Sequence, residues 1–320
     1  MKKVMMLLSA MVLLAACEKQ IVNDEVTNKE DDKPSMTLPN GEVVKAKKFT
    51  FTLKGDFSSA WKLNANGTVN DGDASNAAAP RRTVGYLTAD GKDMTDVWVL
   101  DYMDGALVQQ VHQSDNTAED FGKPIMKLAY GEHQVYFIAS RGANPVLDTN
   151  AHTITFGNVR DTFWKRYDVS VVATSNGNRA VTLDRVVTKL RLTFTDEVPA
   201  EAKSISIIPH TWYYGIDYLT GQPASVRTDA ATVITIPDAS KGQTGIQASL
   251  FGFSTAAEWN TDVVISSRTA TNDVLGSATI SSAPFKANRV SDYSGPLFSA
   301  GGSLSLSLNG EWITPYEGTW

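Results

Sequence analysis

The chain has 320 residues, with 29 Lys and Arg against 35 Asp and Glu, a formal charge of −6 and one cysteine. An acidic chain without a basic stripe lacks the phosphate-neutralising charge that dominates nucleic-acid binding, so nucleic acid is not an expected partner. A lone thiol excludes an internal disulfide and a zinc-thiolate cluster, and stability must come from packed apolar cores, for which a chain of this length holds enough residues for two ordinary domains.

Lys2 and Lys3 precede an apolar run from Val4 to Leu13, which closes on Leu14-Ala15-Ala16-Cys17. A basic start, an apolar stretch of about ten residues and small residues before a cut make an export signal too short to span a bilayer as a permanent helix. The Leu-Ala-Ala-Cys pattern gives the cysteine a purpose: the Cys17 thiol is expected to become a diacylglyceryl thioether, with residues 1–16 removed. The alternative is an ordinary secretory signal, which leaves Cys17 without a partner or a role. Each acyl chain contributes about 0.8 kcal/mol per buried methylene, so the two or three chains expected here hold durably. Loss of Lys2 and Lys3, and of no acid, moves the formal charge from −6 to −8. Residues 17–42 follow as a tether, carrying Asp24, Glu25, Glu30, Asp31 and Asp32 among few apolar residues, a composition that cannot bury enough surface to order itself.

From Val43 onward the pattern is alternation. Phe49, Phe51 and Leu53 share one face with Thr50 and Thr52 on the other, and Val97 and Val99, Val135 and Phe137, and Val169 and Val171 repeat it. Period two with aromatic and β-branched enrichment predicts half-buried strands. Asn66-Gly67, Asp90-Gly91, Asp104-Gly105, Asn176-Gly177 and Asn309-Gly310 are expected to supply the positive φ of tight turns. Val97–Met103, Asp104-Gly105 and Ala106–Gln113 together predict a hairpin. Short helical turns are expected only near Ala118–Phe121 and Ala256–Trp259. The polar stretch Asn176–Arg179 divides the chain into expected β-sandwiches over 43–179 and 180–320. The second opens on the longest strand, Val181–Thr195, where Val186-Val187 breaks the alternation and suggests a bulge or a change of buried face. Strands then recur at Ile205–Ile208, Thr232–Ile236, Ile246–Phe253, Asp262–Ser267, Gly276–Ile280 and Ser303–Leu308. The fold class is all-β.

Catalytic templates fail one by one. There is no His-Glu-x-x-His and no Gly-x-Ser-x-Gly elbow, and Gly85 to Asp93 has the wrong spacing and the wrong last residue for a phosphate loop. His112, His133, His152 and His210 are scattered without ligand spacing and read as surface or strand-edge residues. Asn64, Asn66, Asn70, Asp71 and Asp73 could offer oxygens to calcium, although no glutamate follows at the twelfth position and a solvated loop is the simpler reading. No metal and no cofactor beyond the covalent lipid on Cys17 is expected. Trp212, Tyr213, Tyr214 and Tyr218 could stack on sugar rings or contact a partner, and burial explains them equally well. Arg81 and Arg82, in a stretch of small and polar residues, are a candidate site for a trypsin-like protease or an incidental basic pair.

Four stretches carry a resemblance. They are the lipobox ending at Cys17; Leu183-Asp184-Arg185-Val186-Val187-Thr188-Lys189-Leu190-Arg191-Leu192 followed by Val198-Pro199; Tyr213 to Gly221; and Asn288-Arg289-Val290 through Tyr293, Gly295, Leu297 and Phe298 to a last strand and Trp312. In their order and spacing the chain resembles the fimbrial subunits of Bacteroidetes and, among them, the FimB/Mfa2-type anchor lipoproteins. The resemblance implies two transthyretin-like β-sandwiches in tandem, no enzymatic activity, other fimbrial subunits as partners, and a place on the cell outer membrane as part of a fimbrium (pilus) used in cell adhesion.

Stalk subunits of that family are trimmed at an arginine so that a neighbour's strand replaces their first one, whereas anchors keep their lipid. Beyond Leu304, Leu306 and Leu308, the segment Glu311–Trp320 is short for a donor arm and contains Pro315, which favours the anchor. Cleavage after Arg82 would instead release the lipid and the Phe49–Leu53 strand and favour a stalk or tip subunit. A surface glycan-binding lipoprotein is the third reading. Because the tether offers no other apolar attachment, Cys17→Ala is expected to move the protein from the membrane fraction to the soluble fraction, as followed by fractionation and blotting; a mutant that stays with the membrane refutes lipid anchoring.

Overall fold

The alternating segments become twenty-one strands in the computed structural model, which describes residues 35–56, 84–86, 94–299 and 304–306. The N-terminal half begins with β1 (Ser35–Thr37), β2 (Val43–Asp56), β3 (Val84–Tyr86), β4 (Asp96–Met103), β5 (Ala106–Gln113), β6 (Ile125–Ala129) and β7 (Gly131–Ser140). It continues with β8 (Ala143–Asp148), β9 (Thr153–Asn158), β10 (Thr162–Val171) and β11 (Asn178–Arg185). The C-terminal half holds β12 (Val187–Phe194), β13 (Ser204–Pro209), β14 (Thr211–Asp217), β15 (Gln222–Thr228) and β16 (Thr232–Thr235). It ends with β17 (Ile246–Phe253), β18 (Trp259–Arg268), β19 (Val274–Phe285), β20 (Val290–Gly295) and β21 (Ser305–Leu306). The fold is all-β. Among the described residues the one helical element is a single 3-10 turn at Asp238–Ser240, and the segments near Ala118 and Ala256 are turns and bends instead of helix.

The first sandwich is one hydrogen-bonded path folded back on itself, in the order β1-β2-β11-β10-β7-β4-β5, with β3 and β6 also pairing with β2. Only two residue pairs, Phe163↔Arg185 and Trp164↔Asp184, join β10 to β11, and there the path turns from one layer into the other. Phe49, Phe51 and Leu53 of β2 meet Val97 and Val99 of β4 and Val135 and Phe137 of β7 in the core between the layers. The second sandwich stacks β17-β12-β20-β21 on β16-β13-β18-β19 around Leu190, Leu192, Phe194, Ile205, Ile207, Val263 and Ile265.

A fourth sheet belongs to both halves. Its order is β15-β14-β9-β8, and the pairs Gly215↔Thr155, Ile216↔Ile154 and Asp217↔Thr153 join C-terminal to N-terminal sequence. Its inner residues Ile154, Phe156, Ile216 and Tyr218 pack on Trp98, Leu100, Tyr136 and Ile138, and on Val187, Phe251 and Phe253. β4 and β7 are therefore buried on both faces, and the half-buried reading of Val97, Val99, Val135 and Phe137 is corrected. The runs Val97-Trp98-Val99-Leu100 and Val135-Tyr136-Phe137-Ile138-Ala139 are uninterrupted apolar stretches, which a strand between two cores requires.

The expected strand Val181–Thr195 is two strands. β11 lies in the first sandwich, parallel to β2, and β12 lies in the second, between β17 and β20. The chain changes sheets at Val186, a few residues beyond the 179/180 division. The turns divide too. Asp104 and Gly105 have φ of 52° and 78° in the expected β4–β5 hairpin. Gly177 lacks the positive φ expected of it; its role is close approach, since a Cβ there would sit 2.4 Å from the Lys48 carbonyl oxygen. Asn66-Gly67, Asp90-Gly91 and Asn309-Gly310 lie outside the described residues.

The chain falls into the units Met1–Lys33 and Pro34–Trp320, and every described residue belongs to the second. Expressed alone, residues 187–320 keep their own sandwich core but expose Ile216, Tyr218, Phe251 and Phe253. The fragment is expected to be β-rich and to melt cooperatively below the full chain, as followed by circular dichroism; an equal melting temperature would mean that the shared core contributes nothing to the second sandwich.

Candidate functional site

Three of the four stretches singled out in the sequence meet where the chain passes from β11 to β12. Arg185 falls in period two with Val181 and Leu183 and so points inward at the end of the first core. Its Nε and Nη2 donate to the two carboxylate oxygens of Asp161 at 2.7 and 2.9 Å, and its Nη1 donates to Asn288 Oδ1 at 2.9 Å. The guanidinium also lies 4.9 Å from the Phe163 ring centroid. Both side chains of the ion pair are almost fully buried. A two-point guanidinium–carboxylate pair in such a place fixes orientation more than it adds stability, and removing one partner typically costs about 3–5 kcal/mol.

Backbone bonds hold the passage on both sides. Val186 N donates to Thr162 O of the first sandwich at 3.1 Å, and Val186 O accepts from Ser254 N of the second at 3.0 Å. Asn288 N donates to Val187 O at 2.8 Å, Thr188 Oγ1 donates to Arg289 O at 3.0 Å, and β12 then runs parallel to β20 from Lys189↔Val290 to Phe194↔Gly295. Lys189 lies over Phe251 at 5.0 Å, Arg191 pairs with Asp292, and Arg289 pairs with Glu258. Farther along, the Asp196 carboxylate accepts from the amides of Leu297, Phe298 and Ser299 at 2.7–2.9 Å. Burial alone would raise the Asp196 pKa, but these amide bonds outweigh it and hold the group below the usual carboxylate range.

The aromatic stretch does not form a flat platform. Trp212 is buried in the second core, its Nε1 donating to Phe251 O at 2.9 Å and its ring edge-on to Phe285. Tyr218 is fully buried in the shared core, with its hydroxyl 2.8 Å from that of Tyr102; burial pushes its pKa well up, and its carbonyl accepts from Trp164 Nε1 at 2.7 Å. Tyr213 packs edge-on against Trp259. Tyr214 alone has a charged lid, the Arg227 guanidinium 4.1 Å from its ring centroid. Two of the four rings have thus given both faces to the core.

The histidines depart from expectation at one position. His112 stacks on Trp98 at 4.5 Å and pairs with exposed-side Asp96, and His210 pairs with Asp229 at the surface. His133 is instead a core residue. Its Nε2 faces the Ala129 carbonyl and its Nδ1 faces Asp101 Oδ1, both at 2.8 Å, with neither side chain exposed. Nε2 must donate to the carbonyl, so the contact with Asp101 holds one proton between the two groups. Burial acts to lower the His133 pKa, but the hydrogen bond and charge of Asp101, the Ala129 carbonyl and Glu132 outweigh it and leave the pKa raised. Burial raises Asp101 as well, against the pull of His133. No spacing in the sequence announces this pair, because β4 and β7 bring it together from thirty-two residues apart.

Cys17, Arg81, Arg82, the loop from Asn64 to Asp73, and Trp312 lie outside the described residues. Among the described residues no group of His, Cys, Asp or Glu is arranged to hold a metal ion, and no helix is long and apolar enough to cross a membrane.

No family model matches the chain, and no curated protein does. Solved structures resemble it at a distance. A Bacteroides ovatus protein provisionally assigned to cell adhesion is 12% identical with a TM-score of 0.47, covering 85% of this chain and 99% of its own. A fimbrial assembly protein from Parabacteroides distasonis is 10% identical with a TM-score of 0.43, covering 82% and 96%. The tip fimbrial protein Mfa3 from Porphyromonas gingivalis, with a C-terminal truncation, is 12% identical with a TM-score of 0.40, covering 82% and 99%.

The buried pair has a pH signature. His133 has a raised folded pKa, so its contribution is fully present below the usual value of 6.5 and is lost as pH rises through the folded value. Asp101, also raised, acts in the same sense. Between about pH 6 and 9 the wild-type melting temperature is expected to fall more steeply than that of the non-titrating Asp101→Asn/His133→Gln variant. Parallel profiles would remove the pair from the pH dependence.

Proposed function

We propose that this chain is a lipoprotein of the bacterial cell outer membrane that anchors or seeds a fimbrium through contacts with other fimbrial subunits, as FimB/Mfa2-type anchors do, and that it has no enzymatic activity. One observation carries the reading. The stretches on which the resemblance rests, Leu183–Leu192, Tyr213–Gly221 and Asn288–Phe298, are far apart in sequence and assemble around one passage between two sandwiches. Arg185 and Val187 bond to Asn288, β12 pairs with β20, and Val186 and Val187 share one core with Ile216 and Tyr218. A chance likeness of separate strands has no reason to converge in space.

The place of β2 supports an anchor over a stalk. Trimming after Arg82 would take away β1 and β2, and with them Phe49, Phe51 and Leu53, all at or below 1% exposure. An anchor that keeps its lipid also keeps this strand and an intact first core. The glycan-binding alternative draws less support, because Trp212 and Tyr218 are buried.

The test is electron microscopy of cells, counting attached and shed filaments. Deleting the gene is expected to give filaments that are shed or altered in length while the main pilin still polymerises. Truncating Ile313–Trp320 is expected to leave polymerisation nearly intact, because an anchor donates no strand to a neighbour. Complete loss of polymerisation with a truncated protein that still folds would replace the anchor reading with the stalk reading.

A further inference from the structure

Everything upstream of Val43, Cys17 included, is joined to the N-terminal end of β2. That strand runs parallel to β11, Thr50–Gly55 against Asn178–Leu183. β11 leaves the first sandwich at its other end, through Val186, and enters the second. When the chain is held at Cys17 and drawn from the second sandwich, two neighbouring parallel strands are therefore pulled from opposite ends along a common axis. In that geometry the ladder bonds between them must yield together, whereas strands pulled from the same end lose them one at a time. We infer that the β2–β11 pairing is a shear clamp that keeps the first sandwich closed under tension between the membrane and the filament. The source of that tension rests on the anchor role proposed above; the clamp itself rests on topology.

The surroundings of both strands fit this task. β2 is held along its other edge by β6 at Ala46–Thr50, by the bonds Phe51 N to Pro124 O and Leu53 N to Gly122 O at 3.0 and 2.9 Å, and by β3 at Lys54–Asp56. Phe49, Phe51 and Leu53 key it into the core, and sliding β2 along its axis would drag all three through packed neighbours. The exit end of β11 is pinned by the Arg185–Asp161 pair. β1 is a three-residue antiparallel partner whose open end, Ser35↔Lys45, is the end joined to the upstream chain, so it comes away first, bond by bond, and delivers the load to Val43. The arrangement recurs in the second sandwich. β12 is entered at its N-terminal end, and its parallel neighbour β20 leaves at its C-terminal end.

Single-molecule unfolding of the mature, unlipidated chain tests the clamp with one handle on the native Cys17. The second handle goes on Ala270→Cys, at the exposed β18–β19 tip, or on Thr174→Cys, exposed just before β11. The first pull shears β2 against β11, and the second unzips the same two strands from their common end. Forced unfolding reports the barrier to opening. The first rupture is expected at a force at least about twofold higher in the shearing pull, because several ladder bonds give way together. Equal forces in the two pulls, or a lower force in the shearing one, would overturn the clamp. The measurement is made on the isolated molecule and filament retention on cells, so failure of the clamp and failure of the anchor role register separately.

Discussion

One covalent step, from Arg185 through Val186 to Val187, carries the chain out of one sandwich and into the next, and the rest of the architecture depends on its being fixed. A bare peptide linker would let the two sandwiches swing. Here the step is held by a buried guanidinium that grips Asp161 on one side and Asn288 on the other, and by Val186 bonding backward to Thr162 and forward to Ser254. The cost of burying that charge is met by its two-point partner and the facing Phe163 ring, and the geometry leaves one arrangement of the crossing.

The second constraint is the shared sheet. A β-hairpin from the N-terminal half, β8–β9, and one from the C-terminal half, β14–β15, pair through three residues and lie across the outer face of β4 and β7. The middle of the molecule is therefore three layers deep, and its central strands carry apolar side chains on both faces. Tyr102 and Tyr218 satisfy each other's hydroxyls there, which allows two polar rings to lie in a core otherwise built from Trp98, Ile138, Phe156 and Phe253.

These two constraints bear on any role that transmits force. The chain enters the first sandwich near β2 and crosses between sandwiches after β11, and these two strands are parallel neighbours. A parallel pair cannot be made by a hairpin; it needs strands distant in sequence. The pairing of residues near 50 with residues near 180 encloses the chain between them, from β2 near the start of the first sandwich to β11, its last strand.

Much of this was legible in the residues. Alternation and turn chemistry determined the all-β class, the β4–β5 hairpin and the positions of most strands, because period two and Asp-Gly turns are local properties. The pattern ending at Cys17 and the acidic stretch after it are local as well, and they lie outside the described residues. The inward place of Arg185 was not read from the sequence; its phase with Val181 and Leu183 is local, but its partner Asp161 lies twenty-four residues away. What only tertiary structure decided are the meetings of distant residues: His133 with Asp101 in a sealed core, Trp212 and Tyr218 turned inward instead of toward a ligand, Gly177 chosen for the nearby Lys48 carbonyl instead of for its φ, and β8–β9 lent to the other half. Local pattern reports which face of a strand is apolar. It does not report how many layers cover that face, or which distant strand lies alongside, because both depend on the path of the chain between them.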